Sequence, residues 1–185
     1  NALTDLEHPC QALADFLTMQ EVFGRLEGQT LAYVGDGNNV SHSLMLCGAL
    51  LGVNVSIGCP VGFEPLPTVV EKAREIAVSG ARIEVINDPV ESVRGANAVY
   101  TDVWASMGQE EEQLLREKAF KNFSLDKKLL LKANPNAIVL HCLPAHRGEE
   151  ISFEVMESKS SRIFDQAENR LHVQQALLAA LLGGL

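Results

Sequence analysis

Basic charge is what this chain has least of for its size. Its 185 residues carry 15 Lys and Arg against 24 Asp and Glu, for a formal net charge of -9. A partner with a phosphate backbone or an anionic lipid surface needs a basic face, so nucleic acid and membrane surface are both excluded as expected partners. Cysteine is also sparse. Cys10, Cys47, Cys59 and Cys142 are scattered with no CxxC spacing, which points to reduced thiols and away from a disulfide framework or a zinc site. No apolar run approaches the ~20 residues of a membrane span, and the first residues lack a basic-then-apolar leader pattern. A cytoplasmic location, or an organelle matrix after processing, is the expectation. Internal repeats and low-complexity linkers are missing too, so one domain with one substantial core is expected from a chain that is 46% hydrophobic.

What is present is alternation. A first helix is predicted from Pro9 to Leu26, with Pro9 in its first turn and Leu13, Phe16, Leu17, Val22, Phe23 and Leu26 as its apolar stripe. Strands follow at Thr30–Val34, Val53–Ile57, Arg82–Ile86, Ala98–Thr101 and Ala137–Leu140. Helices are predicted between them at Val40–Leu51, Pro67–Val78, Val90–Arg94 and across residues 109–132. This is the pattern of βαβ units, and it predicts an α/β fold: a Rossmann-like parallel sheet of about five strands in the order 3-2-1-4-5, with helices on both faces. A terminal helix from Gln166 to Leu182 is apolar nearly all round, through Leu171, Val173, Leu177, Leu178, Leu181 and Leu182. Such a helix is expected to be buried on several sides, against the first helix or against a further domain.

In a parallel sheet all strands end at one edge, and open sheets of this kind place their chemistry there. The first strand runs into Gly35-Asp36-Gly37-Asn38-Asn39, the third into Asn87-Asp88, the fourth into Asp102 with Ser106-Met107-Gly108 beyond, and the fifth into His141-Cys142-Leu143-Pro144. With the first and fourth strands flanking the switch point, Asn39, Asp102, Ser106 and Cys142 should line one crevice. Each has a plainer explanation as a helix cap, a turn residue or a packed thiol. Gly35-Asp36-Gly37 also suggests a dinucleotide loop, but Val40 stands where GxGxxG needs its third glycine, and the second strand ends in Gly58-Cys59-Pro60 without an acidic residue. An NAD-binding oxidoreductase domain is the nearest competing reading, with a non-catalytic amino-acid-binding module as a third. At the other end of the chain, His8-Pro9-Cys10-Gln11 opens the first helix, where an anion or a carbonyl group can be held.

Taken together, HPCQ at 8–11, DGNN at 36–39, DVWASMG at 102–108, HCLPAHRGEE at 141–150 and AENR at 167–170 resemble the ornithine carbamoyltransferases in order and spacing. The SMG and HCLP strings separate that family from the aspartate carbamoyltransferases, which share HPxQ but differ at both. The resemblance implies transfer of the carbamoyl group of carbamoyl phosphate to the side-chain amine of L-ornithine, giving L-citrulline and phosphate in arginine biosynthesis, without metal or organic cofactor. It further implies that His8, Gln11 and Arg170 hold the carbamoyl group, with the Leu143 carbonyl orienting its NH₂. Asn39 and the Met107 backbone would hold the α-carboxylate of ornithine, Asp102 and Ser106 its α-amino group, and Cys142 would lie beside the reacting amine. Asp102, Cys142, His8 and Arg170 are thereby the candidate catalytic groups, and putrescine or an acetylated ornithine is the alternative acceptor.

The family also uses an STRTR-type phosphate loop on a first domain, and no such string occurs here. Residues 1–185 thus resemble the second, ornithine-binding domain, with helices 9–26 and 166–182 bridging to a carbamoyl phosphate domain. The site-facing basic groups are expected to be His8, Arg147 and Arg170 alone, few for a phosphoryl dianion. By itself this stretch is expected to be inactive or nearly so and could be monomeric, whereas the family forms homotrimers.

Overall fold

The computed structural model describes residues 1–105 and 113–183, with the side chain of Gln113 left aside. Five strands, β1 (Thr30–Val34), β2 (Asn54–Gly58), β3 (Ile83–Ile86), β4 (Ala98–Thr101) and β5 (Ile138–His141), form one all-parallel sheet in the order β3-β2-β1-β4-β5. The predicted fold class and strand order are both observed. Leu31, Ala32, Tyr33 and Val34 are fully buried, as expected of a central parallel strand covered on both faces. Paired registers such as Val34 beside Gly58 and Thr101, and Thr101 beside His141, bring the ends of β1, β2, β4 and β5 level with one another.

Helices α1 (Pro9–Phe23), α2 (Asn39–Leu50) and α3 (Pro67–Ile76) cover one face, where Phe16, Met19, Leu44, Met45 and Ala73 meet Leu31, Tyr33, Val55 and Ile57. On the other face lie α4 (Pro89–Val93), α5 (Gln113–Phe120), α6 (Lys127–Leu130) and α7 (Phe153–Met156), around Val34, Val99, Phe120, Leu125 and Ile151. Side chains set the helix starts: Asn38, Asp88, Asp126 and Ser152 each accept a backbone N–H of the following first turn. The first helix stops at Phe23, three residues short of expectation. Gly24 adopts the left-handed conformation (φ 71°) and its N–H returns to the Gln20 carbonyl, which closes the helix before Arg25 and Leu26. The short α7 was not expected from the sequence.

The terminal helix, α8 (Ile163–Leu181), begins earlier than expected and within this chain is buried along one stripe. Only Ile163, Gln166 and Asn169 are buried, while Leu178 and Leu181 are 57% and 74% exposed. A polar seam joins it to α1. Gln166 donates to Asp15 at 2.6 Å, Asn169 to Thr18 at 3.0 Å and to Glu21 at 2.7 Å, and Arg170 to Gln11 at 2.6 Å. No helix among the described residues is long and apolar enough to cross a membrane.

Candidate functional site

At the carboxyl edge of the sheet, β4 delivers Asp102 and β5 delivers Cys142, and the two side chains meet. The thiol donates to Asp102 Oδ1 at 2.9 Å. The Val103 N–H reaches the same oxygen at 2.8 Å, and Asn38 Nδ2 donates to Oδ2 at 2.8 Å. Asn38 thereby caps α2 with its oxygen and holds Asp102 with its nitrogen. Counting lone pairs, Oδ1 is filled and Oδ2 retains one acceptor position. Burial pushes the Cys142 thiol well above its usual range, and the neighbouring Asp102 pushes it further. The sulfur therefore keeps its proton and acts as a donor, the opposite of an activated thiolate.

Asn38, which the sequence reading did not single out, is the asparagine bonded to Asp102, while Asn39 occupies the first helical position and donates to the Thr4 carbonyl at 2.8 Å. Successive residues at a helix start point in directions about 100° apart, so the two asparagines take different partners. Ser106 and Met107 lie outside the described residues.

His141 holds the floor of this crevice. Its Nδ1 accepts the Leu143 N–H at 2.8 Å, which puts the ring proton on Nε2, facing Glu150 Oε1 at 3.1 Å. The same Glu150 oxygen accepts the His146 N–H at 2.6 Å, and Glu150 is fully buried. Leu143 itself sits at φ 59°, a left-handed conformation costing a β-carbon residue roughly 1–2 kcal/mol. Its bond to the His141 ring offsets that cost and presents the Leu143 carbonyl. One oxygen, nitrogen and sulfur of Asp102, His141 and Cys142 lie within 4.8 Å of one another, as do ligand atoms of His146, Glu149 and Glu150. In the first set a metal would have to displace the bonds just described.

A second cluster stands at the start of α1. Gln11 is buried between two partners: its Oε1 accepts Arg170 at 2.6 Å and its Nε2 donates to Asp15 at 2.8 Å. Beside it, burial and the Arg170 charge lower the His8 pKa, so this imidazole is neutral and offers one N–H. His8 Nδ1 and Arg170 Nε are both enclosed and have no hydrogen-bond partner among the described residues. Arg147, expected to face the site, turns away; it pairs with Glu157 at 2.8 Å and lies over the Phe153 ring.

The glycine loop after β1 does not form a dinucleotide cradle. A β-carbon on Gly37 would come within 2.2 Å of the Pro65 nitrogen and 2.4 Å of the Glu64 carbonyl carbon. The close approach that glycine permits is taken by the chain's own 63–65 segment, where a pyrophosphate would have to lie. Asp36 is likewise committed: Arg116 donates to it at 2.6 Å and to the Trp104 carbonyl at 3.0 Å. Burial pushes the Asp36 pKa up against the pull of that guanidinium. Sequence reasoning missed Arg116, Asn38, Asp15, Gln166 and Glu150. A usable signal exists only for Asn38, as the Asn before a helix.

Comparison with known proteins adds to this geometry. Residues 27–181 match the family described as aspartate/ornithine carbamoyltransferase, Asp/Orn binding domain. Ornithine carbamoyltransferase of Prochlorococcus marinus (strain MIT 9313) is 78% identical over all 185 residues, which span 58% of that protein. Among solved structures, ornithine carbamoyltransferase from Pyrococcus furiosus superposes with a TM-score of 0.95 at 50% identity, covering all of this chain and 59% of that one. The enzyme from Gloeobacter violaceus gives 0.90 at 54% identity, over 98% of this chain and 61% of that one. The chain spans about three-fifths of the length of the curated relatives it matches.

Proposed function

Because the chain belongs to the aspartate/ornithine carbamoyltransferase family, matching its Asp/Orn binding domain, we propose that it supplies the acceptor half of an enzyme that carbamoylates L-ornithine, giving L-citrulline and phosphate. One observation carries the reading: Cys142 as thiol donor on Asp102, itself held by Asn38 at the β1/β4 switch point. The free acceptor position on Asp102 Oδ2 suits the α-ammonium group of an amino acid, with Ser106 as its second partner. Asn39, released from the Thr4 carbonyl, and the Met107 backbone bind the α-carboxylate. The side-chain amine then lies beside Cys142.

An alkyl amine has a solution pKa near 10.4, so ornithine arrives protonated and must lose that proton before it attacks. In the attack the amine nitrogen bonds to the carbamoyl carbon, and the C–O bond to phosphate breaks. Cys142 and Asp102 act as a relay for the first proton, which passes from the ammonium group to sulfur as the S–H proton passes to Asp102 Oδ1. The second, released as nitrogen bonds to carbon, leaves on the departing phosphate. The developing oxyanion is met by the neutral His8 N–H and by Arg170. Gln11 and the Leu143 carbonyl hold the carbamoyl NH₂. Arg147 being turned away, the phosphate finds one guanidinium here, Arg170. Its remaining partners come from the carbamoyl phosphate domain that the longer relatives carry, which α1 and α8 bridge to. On this reading the 185-residue chain alone turns over negligibly, the complete enzyme is a homotrimer through its other domain, and its location is the cytoplasm.

The test is a full-length Prochlorococcus relative in which these 185 residues replace the matching 58%. It should form citrulline from ornithine and carbamoyl phosphate and should not carbamoylate aspartate or putrescine, while the isolated chain forms none. Preference for aspartate, or no transfer by a folded chimera, would overturn the proposal.

A further inference from the structure

Asp15 is a charged-type residue with no exposed surface, lying between two clusters that the transfer reading treats separately. Its Oδ1 accepts two amides, Gln11 Nε2 at 2.8 Å and Gln166 Nε2 at 2.6 Å. Gln166 in turn accepts the His141 N–H with its Oε1 at 2.9 Å. A glutamine amide is nearly symmetric in shape, and only its partners decide which end is oxygen and which nitrogen. For Gln11 that decision is made by Asp15 on one side and Arg170 on the other. For Gln166 it is made by Asp15 and the His141 backbone.

We propose that Asp15 is a positioning residue: through two amides it fixes the Gln11 carbonyl toward Arg170 and the pocket, and fixes the end of β5 that carries Cys142. Without an acceptor at Oδ1 the Gln11 NH₂ loses its partner and the amide is held by Arg170 alone, which loosens the group assigned to the carbamoyl end. The role is indirect, since Asp15 lies behind Gln11. Either protonation state of Asp15 performs it, because Oδ1 accepts in both, with the proton carried on Oδ2.

The inference rests on the transfer reading for its kinetics alone, and the chimera described above tests it. Asp15→Ala is expected to raise KM for carbamoyl phosphate about tenfold, the effect of one lost orienting hydrogen bond, while KM for ornithine changes much less. Asp15→Asn keeps an acceptor in place and is expected to restore KM to within about threefold of the parent. A purely structural residue would lower thermal stability in Asp15→Ala and leave both KM values of the folded enzyme unchanged, which overturns the proposal. A measurement on the unsubstituted 185-residue chain covers the case in which Asp15→Ala does not fold. The side-chain amide protons of Gln11 and Gln166 should exchange with solvent at least about tenfold more slowly than those of exposed glutamines, and equal rates overturn the proposal. A chimera with no transfer activity refutes the functional reading, and the exchange rates then decide Asp15 by themselves.

Discussion

Replacing Asp15 with Asn should change how the stability of the chain depends on pH, and the size of the change follows from the site. Burial raises the Asp15 carboxyl from an ordinary 3.8 to about 7, opposed by the amides of Gln11 and Gln166 and the hydroxyl of Tyr100. The folded state therefore binds this proton more tightly than the unfolded chain does. Below pH ~4 both states are protonated and the group is neutral in the balance. As pH rises from about 4 to about 7 the unfolded chain releases the proton and the folded one does not, so unfolding becomes easier by about 1.4 kcal/mol for each step of one in pH. Above the folded pKa the loss levels off. Over the whole interval it reaches about 4 kcal/mol, a large share of the roughly 5–15 kcal/mol typical of a domain. Asparagine has nearly the same shape, presents an oxygen to both glutamines and cannot ionise. Urea unfolding of the parent and Asp15→Asn chains from about pH 4 to about pH 8 yields two stability curves, and their difference isolates this carboxyl. The Asn chain should gain on the parent by about 4 kcal/mol across that range, with most of the gain between about pH 5 and 7. Curves parallel to within about 0.5 kcal/mol would refute the reasoning, since a carboxyl with an ordinary pKa produces no such divergence.

Three further outcomes are expected. Gly37→Ala forces a β-carbon into the backbone at Glu64 and Pro65, and should lower stability by about 1–3 kcal/mol in urea unfolding; an unchanged midpoint would show that the 63–65 segment yields freely. Glu150→Ala strips the acceptor from the His141 ring and from the His146 N–H in a fully buried place, for a loss of about 2–3 kcal/mol by the same assay; a loss below about 0.5 kcal/mol would mean that neither donor depends on this carboxylate. In the chimera, Cys142→Ala should lower kcat for citrulline formation by about 100-fold as the relay is broken, and a fall of less than about threefold would remove Cys142 from the proton path.

The large-scale order of the fold was legible because it depends on patterns that repeat along the chain. Thr30–Val34 and Ala98–Thr101 form strands with the bounds their sequence predicts, and the strand order follows from the alternation of strands and helices. The errors fall where one backbone angle or one side-chain direction decides. Gly24 ends α1 by turning left-handed, and apolar residues at 22, 23 and 26 conceal that stop. Asn38 and Asn39 are the same residue type, one position apart, and only the helix start determines which reaches Asp102. The meeting of Asp102 with Cys142 could be anticipated because adjacent parallel strands end together. Arg116 pairing with Asp36 spans 80 positions, and no local pattern marks a long-range pair inside a polar stretch. The terminal helix differs again: its many leucines suggest burial but do not reveal that Gln166, Asn169 and Arg170 make its hydrogen bonds to α1.

That polar seam bears on how the two side-chain clusters are joined. From Asn38 the bonds run through Asp102 to Cys142, back along the chain to His141, and on through Gln166 and Asp15 to Gln11 and Arg170. Along this path the Cys142 thiol holds its proton, and His8 beside the path is held neutral. A site of this kind offers directed donors and acceptors in preference to free charge, which suits a neutral carbamoyl group and an amine that must shed a proton to react. It is much less suited to a phosphate dianion, for which the described residues of these clusters offer one guanidinium, Arg170, that also holds Gln11. On the transfer reading, affinity for the phosphate and selectivity for the acceptor amine therefore reside in different parts of the enzyme. Substitutions along this path should alter acceptor choice and proton transfer before they alter phosphate binding, except at Asp15, Gln11 and Arg170, where the two functions meet.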